Sequence, residues 1–294
     1  DSPLLSGLIF LDLLGFASGL VDLPFTLYRQ FVLEARFGFN RMTLHLFFLD
    51  MIRGTLVGVI IGLPIILLLL WLLQHAGPTS WFWAWLAWMG FNGLVLFIYP
   101  VLVAPLFNKF TPMPDSPHKT KLESLLHRCN FSAGGLFVMD GSKRSAHANA
   151  YFTGFGRHRR IVLFDTLLDQ LSPDQLEAVL AHEIGHYKLH HLPKRLAIMA
   201  VVSLTLLWIL FQLLQAPWFY TDLGVAHANP ATAIALFSMT MPLCMLPLTP
   251  IANALSRKHE YEADAFAAGQ TRSRYLIDAL LTLYRENAAT LTPD

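Results

Sequence analysis

The chain has 294 residues, of which 54% are hydrophobic and only 14% are charged. Globular proteins carry about 25% charged residues, so this chain has too little polar surface to cover itself in water. The composition therefore predicts an integral membrane protein, whose apolar surface faces lipid. A net charge of +1 argues against nucleic acid as a partner, which would call for a strong basic excess. Two cysteines support neither a disulfide framework nor a cysteine-based zinc site.

Membrane spans are predicted where about 20 consecutive residues are mostly apolar. Five segments meet this condition: 4–27, 52–73, 81–107, 196–214 and 231–255. The fold class that we predict is mainly α, a polytopic membrane protein with about five visible spans and a small α+β domain outside the membrane. The domain organisation follows from the spans. We expect membrane helices at 1–107, the α+β segment at 108–195, two further membrane helices at 196–255 and a final helix with a tail at 256–294.

The basic residues predict how the chain is oriented. All 21 Lys and Arg fall within 29–53, 109–195 and 257–285, and the connections 74–80 and 215–230 contain none. Basic connections face the cytoplasm under the positive-inside rule. We therefore expect the segment 108–195 and the C-terminal tail to be cytoplasmic.

The extramembrane segment has the pattern of a small α+β unit. A proline-rich turn is expected at 111–117 and a helix at 119–128. Short strands are predicted at 135–139, 149–154 and 160–164, with a turn at Gly156, Arg157 and His158 before the last of them. Ser172, Pro173 and Gln175 then form a strong helix start, because they supply an N-cap, a first-turn proline and a capping box. This start predicts a helix over 173–190.

That helix contains the motif His182-Glu183-Ile184-Gly185-His186. Residues four apart share a helix face, so both imidazoles can bind one metal ion, and Glu183 can reach the attacking water. A catalytic zinc needs a third protein ligand and an open position. Glu260 and Asp264 are also four apart, so one carboxylate can bind the metal and the other can orient a ligand histidine. This pairing resembles the thermolysin-like (gluzincin) arrangement.

Three neighbouring side chains receive a different interpretation. His190 and His191 lie eight and nine residues beyond His182, too far along a continuous helix to join its metal, so they are predicted to form a solvated helix end. Glu262 is expected to point away from the metal, since residues two apart lie on different helix faces.

Taken together, the motifs resemble the integral-membrane CAAX prenyl endopeptidases of the sterile-24 type, a zinc metalloendopeptidase family. The matching segments are EARFGFNR (34–41), PLFNKFTP (105–112), GSKRSAHANAYFTGFG (141–156), IVLFDTLL (161–168), AHEIGHYKLHH (181–191) and NALSRKHEYEADAFA (253–267). The resemblance implies that His182, His186 and Glu260 bind one Zn²⁺ and that Glu183 is the catalytic glutamate. Asp264 is then expected to orient a ligand histidine.

The resemblance also implies a substrate, namely the C-terminal CAAX segment of prenylated proteins. We expect the peptide to lie along the strand containing Asn149, Ala150 and Tyr151, bound through its backbone. The expected partners are a peptide or protein, with or without a prenyl group, and the lipid bilayer. The location that we predict is a bacterial inner membrane, with the active site toward the cytoplasm. Quality control of membrane proteins, in the manner of heat-shock proteases, stays open as an alternative activity, and zinc transport is a more remote one.

The family usually has seven spans and a further C-terminal segment with His and Arg near the active site. Five spans are visible here, so we expect that one N-terminal span and that C-terminal segment are missing from this sequence.

Overall fold

The computed structural model describes residues 2–153 and 159–286. In this part of the chain, helices account for most of the structure. In chain order they are α1 (Pro3–Tyr28), α2 (Glu34–Arg36), α3 (Leu44–His75), α4 (Ser80–Ile98), α5 (Ala104–Phe107), α6 (Pro117–Arg128), α7 (Asp165–Gln170), α8 (Pro173–Lys188), α9 (His191–Leu214), α10 (Pro217–Thr221), α11 (Pro230–Met245), α12 (Thr249–Gln270) and α13 (Ser273–Glu286). Four strands accompany them: β1 (Phe110–Pro112), β2 (Leu136–Met139), β3 (Ala150–Thr153) and β4 (Arg160–Phe164).

Five helical stretches are long and apolar enough to cross a membrane. They are Pro3–Arg36, Leu44–His75, Gly77–Phe107, His191–Leu214 and Pro230–Gln270. The prediction of a mainly α membrane protein with five spans is therefore confirmed. The last stretch has 41 residues, about twice the number that one span requires, and it comprises α11, a short 3-10 turn and α12. The domain boundaries expected after residues 107, 195 and 255 stay predictions.

The chain divides into two compact units, and the first contains most of the apolar helices. It comprises Asp1–Phe25, Ile52–Leu96 and Pro193–Ala254. Its small buried cluster is made of Leu210, Phe219, Tyr220 and Ala233. Trp85 joins two helices of this unit, because its indole N–H donates to the backbone oxygen of Ala200 at 3.0 Å. Much of the remaining apolar surface is exposed, as lipid-facing helices require.

The second unit comprises Thr26–Met51, Phe97–Leu192 and Leu255–Asp294, and it contains the sheet. The strand order is β1-β2-β4-β3; β2 and β4 are parallel and the two outer strands are antiparallel to their neighbours. The core of this unit is formed by buried aliphatic side chains of the strands and of α6, α7, α8 and α13. Its largest fully buried members are Leu122, Leu125, Ile161, Leu163, Leu167, Leu176, Leu180 and Ile184.

The strands match the predicted segments within one residue at each end, and β4 has the predicted bounds. The predicted turn at Gly156, Arg157 and His158 lies outside the described residues. The structure contains one strand that the sequence pattern did not indicate. This strand, β1, occupies Phe110–Pro112, whereas a turn is predicted from residue 111. This strand is short and lies at an edge of the sheet, where a terminal proline is tolerated.

Helix α8 begins where the sequence predicts and ends earlier. The Ser172 hydroxyl accepts a hydrogen bond from the backbone N–H of Gln175, and the Gln175 side chain accepts one from the backbone N–H of Ser172. The helix stops at Lys188, because His190 adopts a left-handed backbone conformation with φ of 59°. The prediction of one helix through residue 190 is therefore wrong at its C-terminal end, and that early end brings His191 close to the motif.

Candidate metal centre

Helix α8 presents the two motif histidines on one face. Their Nε2 atoms lie 3.1 Å apart. The rings meet edge to face, with centroids 4.8 Å apart and an interplanar angle of 79°. Both side chains are about four-fifths buried, so the two nitrogen atoms face a partly dry site rather than bulk water.

Helix α12 brings a carboxylate to the same point. Glu260 Oε2 lies 3.4 Å from His182 Nε2 and 3.5 Å from His186 Nε2. Ligand atoms bound at 2.0–2.1 Å to a tetrahedral zinc are about 3.3 Å apart. The three donor atoms thus have the mutual spacing of three corners of a zinc tetrahedron. Among the described residues, these three form the one group of potential ligands with all donor atoms within 4.8 Å of one another.

Gly185 makes this spacing possible. A Cβ atom at this position would lie 3.1 Å from the Cα and 3.2 Å from the backbone oxygen of Ala263, and 3.2 Å from Cβ of Phe266. Such contacts are tighter than ordinary van der Waals contact, and the opposing atoms are mainly backbone. The missing side chain therefore lets α8 and α12 approach closely between the two histidines of the motif.

Asp264 lies where it can orient His182. Its Oδ1 atom is 2.8 Å from Nδ1 of His182. When Nδ1 carries the proton and donates to this carboxylate, Nε2 is left with a free lone pair facing Glu260 and His186. The expected orienting contact is thus present, one helical turn beyond Glu260 on α12.

Glu183 is largely buried beside these groups. Burial raises the pKa of its carboxyl; His182 opposes this effect and the Glu260 carboxylate adds to it. A carboxyl in this setting holds a proton more readily than one in water, which suits a group that must accept and then release a proton near neutral pH.

The expected substrate strand lies at one edge of the sheet. Ala150 and Tyr151 belong to β3, and Asn149 immediately precedes it. Strand β3 pairs with β4 on one side, and no strand in residues 2–153 or 159–286 pairs with its other side. It also packs against α8, the helix that carries the motif. The role of these three residues in binding substrate stays a prediction.

His191 and Glu262, which the sequence analysis predicts to lie away from the metal, form a chain of contacts with the motif residue His186. His191 is only 2% exposed, and its Nδ1 lies 2.8 Å from Nδ1 of His186. Its Nε2 lies 3.0 Å from Oε2 of Glu262. The predicted solvated helix end is therefore wrong for His191, because the chain turns at His190 instead of continuing as a helix. The only sequence signal for this role of His191 was that it is a second histidine directly following His190.

Two histidines on the motif helix, a carboxylate on another helix as the third potential ligand, and five membrane-length helices together define a membrane metallopeptidase. Comparison with known families agrees. Residues 1–109 match the N-terminal domain of CAAX prenyl proteases, described as five membrane helices, and residues 114–291 match peptidase family M48. The chain belongs to peptidase family M48 and is a metalloendopeptidase, and membership of this family implies a metal ion.

Relatives of known name resemble the whole chain. A CAAX prenyl protease 1 homologue of Arabidopsis thaliana is 37% identical over all of this chain and 70% of its own length. The CAAX prenyl protease 1 of Saccharomyces cerevisiae is 36% identical over all of this chain and 68% of its own length. The crystal structure of S. mikatae Ste24p superposes with a TM-score of 0.93 at 36% identity, covering all of this chain and 72% of that one.

The close approach at Gly185 generates a prediction. Gly185→Ala should raise the dissociation constant for zinc at least tenfold, because α12 must move away and take Glu260 with it. Overpacking should also lower the free energy of unfolding by about 1–3 kcal/mol. Zinc titration and thermal unfolding of the purified protein measure the two effects.

Gly269→Ala is the matched control. Gly269 lies on α12, the helix that Gly185 contacts, and a Cβ at Gly269 would meet nothing within 4 Å. This variant should bind zinc as the wild type does and be equally or slightly more stable, since alanine favours helix over glycine. Equal zinc affinity in the two variants would contradict the role assigned to Gly185.

Proposed function

We propose that this chain is a zinc endopeptidase that cleaves the C-terminal CAAX segment of prenylated proteins. The observation that carries the proposal is the spacing of His182 Nε2, His186 Nε2 and Glu260 Oε2 in a chain with five membrane-length helices. The names of the related proteins, CAAX prenyl protease 1 and its homologues, support the substrate class.

The donor set fits zinc. Two imidazoles and one carboxylate form the ligand set of thermolysin-like catalytic sites, which keep a fourth position open. His182, His186 and Glu260 would hold the ion. When bound, Zn²⁺ polarises the scissile carbonyl and lowers the pKa of a water molecule toward 7.

Glu183 performs the proton transfers in this proposal. Its carboxylate accepts a proton from the attacking water and later delivers one to the leaving amine. Its position next to His182 in the motif and its electrostatic interaction with both His182 and Glu260 support this role. Asp264 meanwhile holds the ring of His182 in one orientation through the 2.8 Å contact at Nδ1.

The peptide would bind as an added strand on the outer edge of β3. Backbone hydrogen bonds to the segment Asn149, Ala150 and Tyr151 would hold the peptide in an extended conformation. This binding would depend little on the side chains of the peptide. An extended peptide carries its scissile carbonyl in a fixed orientation, which suits a fixed metal. A prenyl group on the same peptide would partition into the lipid in which the apolar helices of this protein lie.

The proposed orientation places the catalytic segment in the cytoplasm. It rests on the basic residues, which are confined to alternate connections of the chain. A bacterial inner membrane stays a prediction, and the named relatives are eukaryotic.

The substrate class is tested with peptides that end in a CAAX sequence. The zinc-loaded chain, reconstituted in lipid bilayers, should release the C-terminal tripeptide from a prenylated peptide at least ten times faster than from the unprenylated one, because the lipid group concentrates the substrate in the bilayer. Mass spectrometry of the released tripeptide measures the rate. Equal cleavage of both, together with cleavage of unfolded membrane segments, would favour quality control instead.

The matched control for this assay is Glu183→Gln, which keeps the volume of the side chain and removes the base. It should retain one zinc per chain and lose turnover by at least ~10²-fold. Zinc binding without cleavage by the wild type as well would argue for transport and against an enzyme.

Binding at the sheet edge is tested on the substrate. N-methylation of single backbone nitrogens near the scissile bond removes one donor each without changing side chains. Because residues of a paired strand alternate between facing the partner and facing away, KM should rise strongly at every second position. A uniform effect along the peptide would contradict strand addition.

Orientation is tested by cysteine labelling in a background free of Cys129 and Cys244. Cysteine at Ala76 or Ala226 should react with an impermeant reagent added outside, because both lie in the connections without basic residues. Cysteine at the exposed Asp169 should react only after the membrane is opened. The reverse pattern would overturn the proposed orientation.

A further inference from the structure

Beyond the proposed ligands lies a chain of side chains that starts at His186. Nδ1 of His186 is 2.8 Å from Nδ1 of His191, and Nε2 of His191 is 3.0 Å from Oε2 of Glu262. Both nitrogens of the buried ring thus have a polar partner within hydrogen-bond distance. An apolar side chain of similar size would fill the same space without either contact, so packing alone does not account for a histidine here.

The turn between two helices creates this arrangement. A continuous helix would carry His191 about 13 Å along the axis from His182. Instead α8 ends at Lys188, His190 takes the left-handed conformation, and α9 starts at His191. The ring of His191 therefore lies against that of His186, with centroids 5.0 Å apart.

Metal binding determines the protons along this chain. A metal on Nε2 of His186 requires the lone pair of that atom, so the proton of the neutral ring is on Nδ1. That N–H then donates to Nδ1 of His191, which must be unprotonated. The proton of His191 is consequently on Nε2, from which it donates to the carboxylate of Glu262. One set of tautomers satisfies every contact.

The ring of His191 is also held in its plane. His259 stacks on it, with centroids 4.2 Å apart and an interplanar angle of 16°. His191 and His259 are 2% and 3% exposed, so water does not compete for the hydrogen bonds. Lys258 lies 3.9 Å from the other oxygen of Glu262, an ion pair that favours the charged carboxylate.

We propose that His191 and Glu262 are positioning residues for the metal ligand His186, acting as Asp264 acts for His182. One ligand histidine has a carboxylate as its direct partner, and the other reaches its carboxylate through a second imidazole. The charge of Glu262 favours the tautomer of His186 that binds metal and increases the electron density at its Nε2. The inference rests on the proposed metal site and concerns affinity and ring orientation rather than the substrate.

The test measures zinc affinity by competition with a chelator, using the purified full chain. His191→Phe keeps an aromatic ring against His259 and removes both hydrogen bonds, and Glu262→Leu removes the final acceptor. Each should weaken zinc binding by about 10- to 100-fold, the usual effect of losing a partner of a ligand histidine. Glu262→Gln keeps an acceptor without charge and should lose clearly less than Glu262→Leu.

Two controls separate positioning from packing. His190→Asn changes the adjacent exposed histidine to a residue that also tolerates positive φ, and it should leave zinc affinity unchanged. Thermal unfolding of the zinc-free variants should be the same for Glu262→Gln and Glu262→Leu within error, so that their difference in zinc affinity cannot be a difference in stability.

Wild-type zinc affinity in both His191→Phe and Glu262→Leu would overturn the inference and leave the proposed function intact. Equal losses in Glu262→Gln and Glu262→Leu that follow the stability of the zinc-free protein would also overturn it. Failure of the wild type to bind zinc would refute the proposed function itself, and the inference with it.

Discussion

The close contact between helices α8 and α12 is the constraint on which the proposed site depends. The two histidines are near each other because they are four residues apart on one helix, but the third ligand comes from a helix more than 70 residues later in the chain. Only a backbone without a side chain at Gly185 allows Ala263 to lie so near that Glu260 reaches both imidazoles. Helix packing distance thus sets the distance between ligand atoms.

The same contact supplies the groups that orient the ligands. Helix α12 contributes Glu260 to the proposed metal, Asp264 to His182 and Glu262 to His191. These acidic residues lie within five consecutive positions, and each lies close to different imidazole nitrogens. Displacement of this helix would therefore disturb the ligand and both orienting contacts together.

Burial strengthens the contacts around His191. Hydrogen bonds among ionisable groups weaken when water competes for the same atoms, and the imidazoles of His191 and His259 are shielded from water. Burial also raises the pKa of Glu183, the proposed acid–base group. Among the described residues, no strand pairs with the outer edge of β3, where the proposed peptide would bind.

Sequence patterns were sufficient to predict the class of the fold and the main residues of the proposed site. Apolar length predicted five spans, the capping box predicted the start of α8, and four-residue spacing placed His182 with His186 and Glu260 with Asp264. These features depend on neighbours along the chain, where composition and helical geometry are sufficient. Strand β1 escaped prediction because three residues ending in proline carry almost no periodic signal.

The surroundings of His191 and Glu262 depend on how distant segments pack, which local sequence patterns do not describe. Their proposed roles depend on a helix that ends at Lys188 and on a positive φ at His190, a conformation that non-glycine residues adopt only uncommonly. In an unbroken helix His191 would lie about 7.5 Å along the axis from His186 and on a different face. The contact between His191 and Glu262 joins residues 71 positions apart, and helical spacing describes which residues share a face but not which distant element packs against that face.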